Sequence, residues 1–240
     1  RTLLHPVVTF TRDVTTPGYL FPIDGSRMAL SLSGSPTSLA GEPSRFFTAL
    51  FDGRVYTSVA DGLYTFALRA SGAASVGPSP QLFYTAGVQN WLSPRFDDAN
   101  RFPIADLSDF AFATPVLPLR GYDLNAENGS YFGLVNAEWR FPLVAALIPG
   151  PLPLFPLYNL QGTAFADAGA LWGGRSTDPR FNLTARGDDG KRRLDDLRVG
   201  AGVGLRSVLF GFPARLDFAW PFDGRAFGER HTYLSIGLDF

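Results

Sequence analysis

The sequence predicts an all-β chain that crosses a membrane as an antiparallel up-and-down β-barrel of eight strands. Three observations carry that reading. Apolar and polar residues alternate with period two, and the alternating stretches run roughly 9–15 residues, against about 5–6 in soluble sheets. Aromatic residues such as Trp139, Phe141, Trp220, Phe222 and Phe240 stand at their ends, where interfacial girdles lie.

Residues 27–33, 46–59 and 63–71 open the series. Residues 131–141 set Gly133, Val135, Ala137, Trp139 and Phe141 against Asn136, Glu138 and Arg140. Over 158–172, Asn159, Gln161, Thr163, Phe165, Asp167 and Gly169 share a face opposite small apolar residues. Residues 198–209 turn Val199, Ala201, Val203 and Leu205 one way, and Arg198, Gly200, Gly202, Gly204 and Arg206 the other. Ala214, Leu216, Phe218, Trp220 and Phe222 oppose Arg215, Asp217 and Ala219. The last stretch, 231–240, alternates Thr232, Leu234, Ile236, Leu238 and Phe240 with Tyr233, Ser235, Gly237 and Asp239. Residues 6–13 are a less regular ninth candidate, so 1–23 reads as an N-terminal segment or an extra strand.

The polar face of these strands carries Arg27, Asp52, Arg54, Arg69, Glu138, Arg140, Asp167, Arg198, Arg206, Arg215, Asp217 and Asp239. In a barrel these charges line the lumen and the apolar rows meet lipid. The competing arrangement is a soluble β-sandwich that turns the same charges to water. Period two by itself fits both.

Connections alternate between short (13–24, 59–62, 210–212) and long (34–44, 71–130, 173–197). That matches barrels with periplasmic turns and extracellular loops, and an even strand count then places both ends on the periplasmic side. The exception is 142–156, a proline-rich apolar turn that reads as a stiff connector at the headgroup region. The whole of 1–240 reads as one domain, with 72–130 as its long extracellular loop.

Composition sets limits on function. The chain is 45% hydrophobic and 18% charged, neither disordered nor strongly polar. With 21 Lys and Arg against 22 Asp and Glu, it lacks the basic excess of a nucleic-acid binder. The absence of cysteine rules out disulfides, thiolate metal sites and a Cys nucleophile. No 18-residue apolar run offers a transmembrane helix. The opening RTLLHPVVTF lacks the apolar stretch of a signal peptide, so an exported protein is expected here as a mature or trimmed chain. His5 and His231 belong to no ligand-spaced cluster, and both read as interfacial. The glycines at 200, 202 and 204 lie inside a strand pattern and miss the spacing of a dinucleotide loop. No catalytic motif, metal site or cofactor site is expected. The charged stretch 188–196 reads as a solvated loop, with lipopolysaccharide contact second.

Several segments, taken in order, resemble the barrel of the BamA/TamA-type assembly factors and two-partner-secretion transporters. Residues 119–143 (LRGYDLNAENGSYFGLVNAEWRFPL) resemble the family's long sixth loop and the strand after it. FADAG at 165–169 is similar to the strand motif whose acidic residue receives the loop arginine. The opening 11–34 resembles an upstream strand pair with a turn at Pro22 to Gly25, and the last two strands also match. The resemblance implies a loop lock of Arg120, Gly121 and Tyr122 against Asp167, with Glu138, Arg140, Arg198, Arg206, Arg215 and Asp217 as lumen charges. It implies a terminal signal strand bearing Tyr233, Leu234, Ile236, Leu238 and Phe240. Physics favours the lock independently, because an arginine drawn into a lumen needs a carboxylate. Full members carry sixteen strands behind periplasmic domains, so the alternative to eight strands is the C-terminal half of such a barrel.

The function this implies is non-enzymatic protein insertion or transport in the bacterial outer membrane. The implied partners are lipid, lipopolysaccharide, client barrels or periplasmic accessory proteins. The second reading is a small plugged barrel that anchors without transporting, and the third is the soluble sandwich.

Overall fold

A computed structural model describes residues 5–18, 20–35, 45–97, 113–143, 160–173, 180–187, 189–209 and 212–237. Along the chain the strands are β1 (Val7–Asp13), β2 (Thr16–Pro17), β3 (Pro22–Ser35), β4 (Phe46–Val59) and β5 (Tyr64–Val76). There follow β6 (Leu82–Thr85), β7 (Ala113–Val116), β8 (Asn128–Gly129), β9 (Tyr131–Pro142) and β10 (Gln161–Trp172). The last five are β11 (Thr184–Arg186), β12 (Arg192–Leu194), β13 (Leu197–Leu209), β14 (Phe212–Phe222) and β15 (His231–Ile236).

Nine of them form one antiparallel wall in the order β1-β3-β4-β5-β9-β10-β13-β14-β15, with β2 added beside β3. Each long strand pairs with its neighbour in sequence among the long strands, which is up-and-down connectivity. Among the described residues the wall has nine long strands where eight were expected, because the less regular ninth candidate, Val7–Asp13, pairs with β3 over its full length. An odd count also puts Val7 and Ile236 at opposite rims, where a shared periplasmic side was expected. Among the described residues no ladder joins β15 to β1. No helix among them is long and apolar enough to cross a membrane.

Register turns the sequence alternation into two surfaces. Val55, Leu68, Ala137, Ala166, Ala201 and Trp220 form one transverse row across six strands. The next row is Tyr56, Ala67, Glu138, Phe165, Gly202, Ala219 and His231. The first row belongs to the face that exposes Val55, Leu68, Val135, Val203 and Leu234, each about half accessible. The second belongs to the face that buries Glu138, Arg140, Asp167, Arg206 and Asp217. Charges inside and aliphatic rows outside invert the soluble pattern. In water such a continuous apolar surface promotes aggregation, whereas against hydrocarbon it is the stable arrangement.

Aromatic rings mark both edges of the apolar band. Trp139 lies against Tyr64, Phe66 and Phe141 near one rim, and Trp172 stacks with Tyr131 near the other. Tyr131 and Trp139 are separated by about 26 Å of extended chain, the height of a hydrocarbon band.

The described residues of 72–130, expected as one long extracellular loop, are partly strand and partly packed against the wall. Strand β5 continues to Val76, and a small sheet of β7-β6-β8 follows. Phe83, Val116 and Leu119 from this segment pack against Ala73, Phe132, Leu134 and Leu171 of the wall. The segment folds back because those side chains are apolar and the inner wall offers them cover. In 173–197 the chain forms the exposed β11–β12 hairpin. Residues 22–25 lie within β3 rather than in a turn. The reversal comes earlier, where the Gly18 N–H donates to the Phe21 carbonyl at 3.0 Å. The proline-rich stretch from 144 to 156 lies outside the described residues, as do Asn159, Leu238, Asp239 and Phe240.

Candidate functional site

Strand parity delivers the inner side chains, and register brings them level. Asn136, Asp167 and Gly200 share one row, and Arg140, Thr163, Gly204 and Asp217 share another. Onto this surface the long segment lays residues 119–122.

Arg120 is 1% exposed and its guanidinium spans two carboxylates. Nε and Nη2 donate to Asp167 at 2.7 and 2.8 Å, and Nη1 donates to Glu138 at 2.6 Å. The Arg120 backbone N–H adds a third bond to Asp167 at 3.0 Å. The guanidinium carbon sits 3.5 Å from the centre of the Phe165 ring, a cation–π contact. Asn136 donates its side-chain amide to both Asp167 and the Pro118 carbonyl, each at 2.8 Å, which ties the loop backbone to the same carboxylate.

The cluster extends sideways. Glu138 accepts from Arg140 at 2.9 Å, and Arg206 donates to Asp217 at 2.5 Å. Arg120, Arg140 and Arg206 thus face Glu138, Asp167 and Asp217, three charges against three. Burial of ions is tolerable only under such pairing. Arg215 donates to Ser235 at 2.9–3.0 Å. Arg198 lies apart from this group: it pairs with Glu127 of the loop and keeps about a third of its side chain accessible. Arg27 also lies outside it, half exposed beside Asp13, while Asp52 holds Arg54 and Arg69.

Glycine makes the close approach possible. Gly121 adopts φ +100°, a conformation that side chains disfavour. On β13 a Cβ at Gly200 would collide with the Arg120 carbonyl oxygen, and one at Gly204 with the Asp217 carboxylate. The alternate glycines therefore form a smooth track under the loop.

The last strand contributes directly. Tyr233, fully buried, accepts the Gly121 N–H at 2.8 Å and donates its hydroxyl to the Tyr122 carbonyl at 2.8 Å. The Tyr122 hydroxyl donates to the Val199 carbonyl at 2.9 Å and accepts the Val199 N–H at 3.1 Å. Leu234 and Ile236 of the expected signal strand lie on the exposed outer face. His231 lies 3.2 Å from Asp123, a loop contact rather than a lipid-interface position.

Sequence reasoning did not single out Asn136, Phe165 or the part Tyr233 plays in holding the loop. Inward parity was the available signal for all three. Among the described residues there is no cluster of three or more metal-ligating side chains. The chemistry of the arrangement is that of a clamp.

Comparisons with known proteins agree with this architecture. A search of curated proteins found no match. Among the solved structures that match is BamA from Haemophilus ducreyi lacking POTRA domains 1–3, with a TM-score of 0.60 and 15% identity. The match covers 96% of this chain and 41% of that one, so the chain spans about two fifths of the length of that structure. At that identity the likeness is one of fold. The Omp85 superfamily domain matches residues 8–240, nearly the full length, and the chain belongs to that superfamily.

Proposed function

We propose that the chain is the loop-bearing part of a larger bacterial outer-membrane barrel that inserts or translocates other proteins, with no catalytic step of its own. The observation that supports it most is the Arg120 clamp: a loop of more than fifty residues is fastened inside the wall by a charge-balanced cluster. A lock of that kind suits a wall that opens and recloses, because its loop sets the shape of the interior. In this reading 1–240 acts as one wall unit, Arg120, Gly121, Tyr122 and Asp167 are the lock, and β15 is the strand that assembly machinery reads. Lipid and lipopolysaccharide contact the outer rows. Client barrels and periplasmic accessory proteins are its protein partners.

The test is reconstitution, in lipid vesicles, of the complete barrel that contains this chain, following the rate at which an unfolded client barrel acquires heat-modifiable mobility. Acceleration over empty vesicles that falls in Arg120→Ala is the expected result. Client folding at the rate of empty vesicles, with no conductance in planar bilayers, overturns the reading in favour of a plugged anchoring barrel.

A further inference from the structure

Two segments reach the inner face from opposite rims. The long loop leaves β5 at Val76 and returns to β9 at Tyr131, whereas the other ends of these strands meet at Val59, Tyr64 and Pro142. At that second rim the hairpin between β1 and β3 curls inward through the Thr16–Asp24 and Pro17–Pro22 pairs. Its tip carries two apolar residues, Leu20 and Phe21, which are only 8% and 7% exposed, although every residue of β1 before them is exposed. An apolar pair at a rim can turn to lipid or to the inner wall. This one turns to the inner wall.

What the Phe21 ring covers is Arg140. The guanidinium carbon lies 4.4 Å from the centre of that ring and 5.7 Å from the centre of the Tyr56 ring. Arg140 is 1% exposed, and its Nε donates to Oε2 of Glu138 at 2.9 Å. The other oxygen of the same carboxylate, Oε1, accepts Nη1 of Arg120 at 2.6 Å. Glu138 therefore holds the loop arginine with one oxygen and the arginine beneath the turn with the other. A ring face attracts a cation most strongly where water is excluded, so Phe21 fixes the guanidinium in place. Without the ring, Arg140 gains room to swing, and the carboxylate that steadies Arg120 loses its fixed partner.

We infer that Phe21 is a positioning residue for the loop lock: the turn at residues 18–21 holds Arg140 against Glu138, and Glu138 holds Arg120. Release of the turn at one rim then loosens the loop that enters from the other. Such coupling is reciprocal, so release of the loop also loosens the turn. The relay stands on the contacts alone. Its use in opening and reclosing the wall rests on the function proposed above. The test reads labelling rates rather than client folding, so the two claims fail separately.

The test uses the complete barrel that contains this chain, embedded in lipid and free of other cysteines. Ala126→Cys, at a loop position 8% exposed, reports loop release by its rate of labelling with a water-soluble maleimide. Phe21→Leu keeps apolar bulk but removes the ring face, and labelling faster by about fivefold or more is expected. Phe21→Tyr keeps the ring and is expected to label at the wild-type rate; acceleration there as well overturns the role of the ring. In an Arg120→Ala background the lock is already gone, so Phe21→Leu is expected to add nothing. A wild-type rate in Phe21→Leu overturns the relay. Equal acceleration with and without Arg120 also overturns it, because the ring then supports the fold without acting through the lock. Heat-modifiable mobility confirms folding. Should Phe21→Leu not fold, the reciprocal measurement decides. Leu20→Cys is expected to label faster by about fivefold or more in Arg120→Ala, and an unchanged rate overturns the proposal.

Discussion

Truncating Arg120 to alanine removes three donors from a buried, charge-balanced cluster. Asp167 keeps only Asn136 and the backbone N–H of residue 120, and Glu138 keeps Arg140 as its close partner. Two arginines then face three carboxylates in a site closed to water. Leaving one buried charge uncompensated costs about 3–5 kcal/mol. Asp167→Ala is expected to lose a similar amount, because it leaves the guanidinium with Glu138 at 2.6 Å and only a distant Asp217 at 3.9 Å. The double variant removes one charge of each sign and restores the balance. Its loss is expected to fall short of the sum of the single losses by about 0.5–3 kcal/mol, the range for residues in direct contact. The assay is denaturant unfolding in detergent micelles, followed by loss of heat-modifiable mobility. Additive losses, or a loss below about 1 kcal/mol for Arg120→Ala, would refute the claim that this cluster fastens the loop.

Three further outcomes follow from the same geometry. Tyr233→Phe removes the hydroxyl joining Gly121 to Tyr122 and leaves a buried N–H without its acceptor, so a loss of about 1–3 kcal/mol is expected in the same unfolding assay. Protease sites near Tyr122 should open in parallel. Gly200→Ala places a methyl against the Arg120 carbonyl and should release the loop tip, whereas Gly133→Ala, with open space around its Cβ, should stay within about 0.5 kcal/mol of wild type. Val203→Arg puts a cation on the outer face and should cost about 2–4 kcal/mol if that position lies near the bilayer midplane; an unchanged midpoint would count against lipid contact there.

Much of the wall was legible because its signal is local. In β13 to β15 each residue's face follows from its parity, and Gly200, Gly202 and Gly204 gave the alternation on their own strand. Arg120 and Asp167 were readable as a pair through the family resemblance, supported by a buried arginine's need for a carboxylate, and the structure places them in contact. The remainder depended on contacts that local pattern does not encode. Val7–Asp13 looked irregular alone and becomes a strand through its ladder with β3. The small β7-β6-β8 sheet uses strands of two to four residues, one of them paired in parallel, too short for periodicity to register. Tyr233 meets Gly121 across 112 residues of sequence, and only the folded chain brings them together. Arg198 shares the inward parity of its neighbours, yet its row lies toward the rim, where Glu127 of the loop meets it.

Everything about this wall follows from which of its faces meets hydrocarbon. With no native cysteine to interfere, single cysteines placed one at a time along β4 can carry a fluorophore, and a quencher dissolved in the lipid tails reports contact. Strong quenching at Phe47, Phe51 and Val55, with weak quenching at Leu50, Arg54 and Ser58, is the expected period-two profile. Uniform quenching, or the opposite phase, would contradict the placement of the apolar rows against lipid.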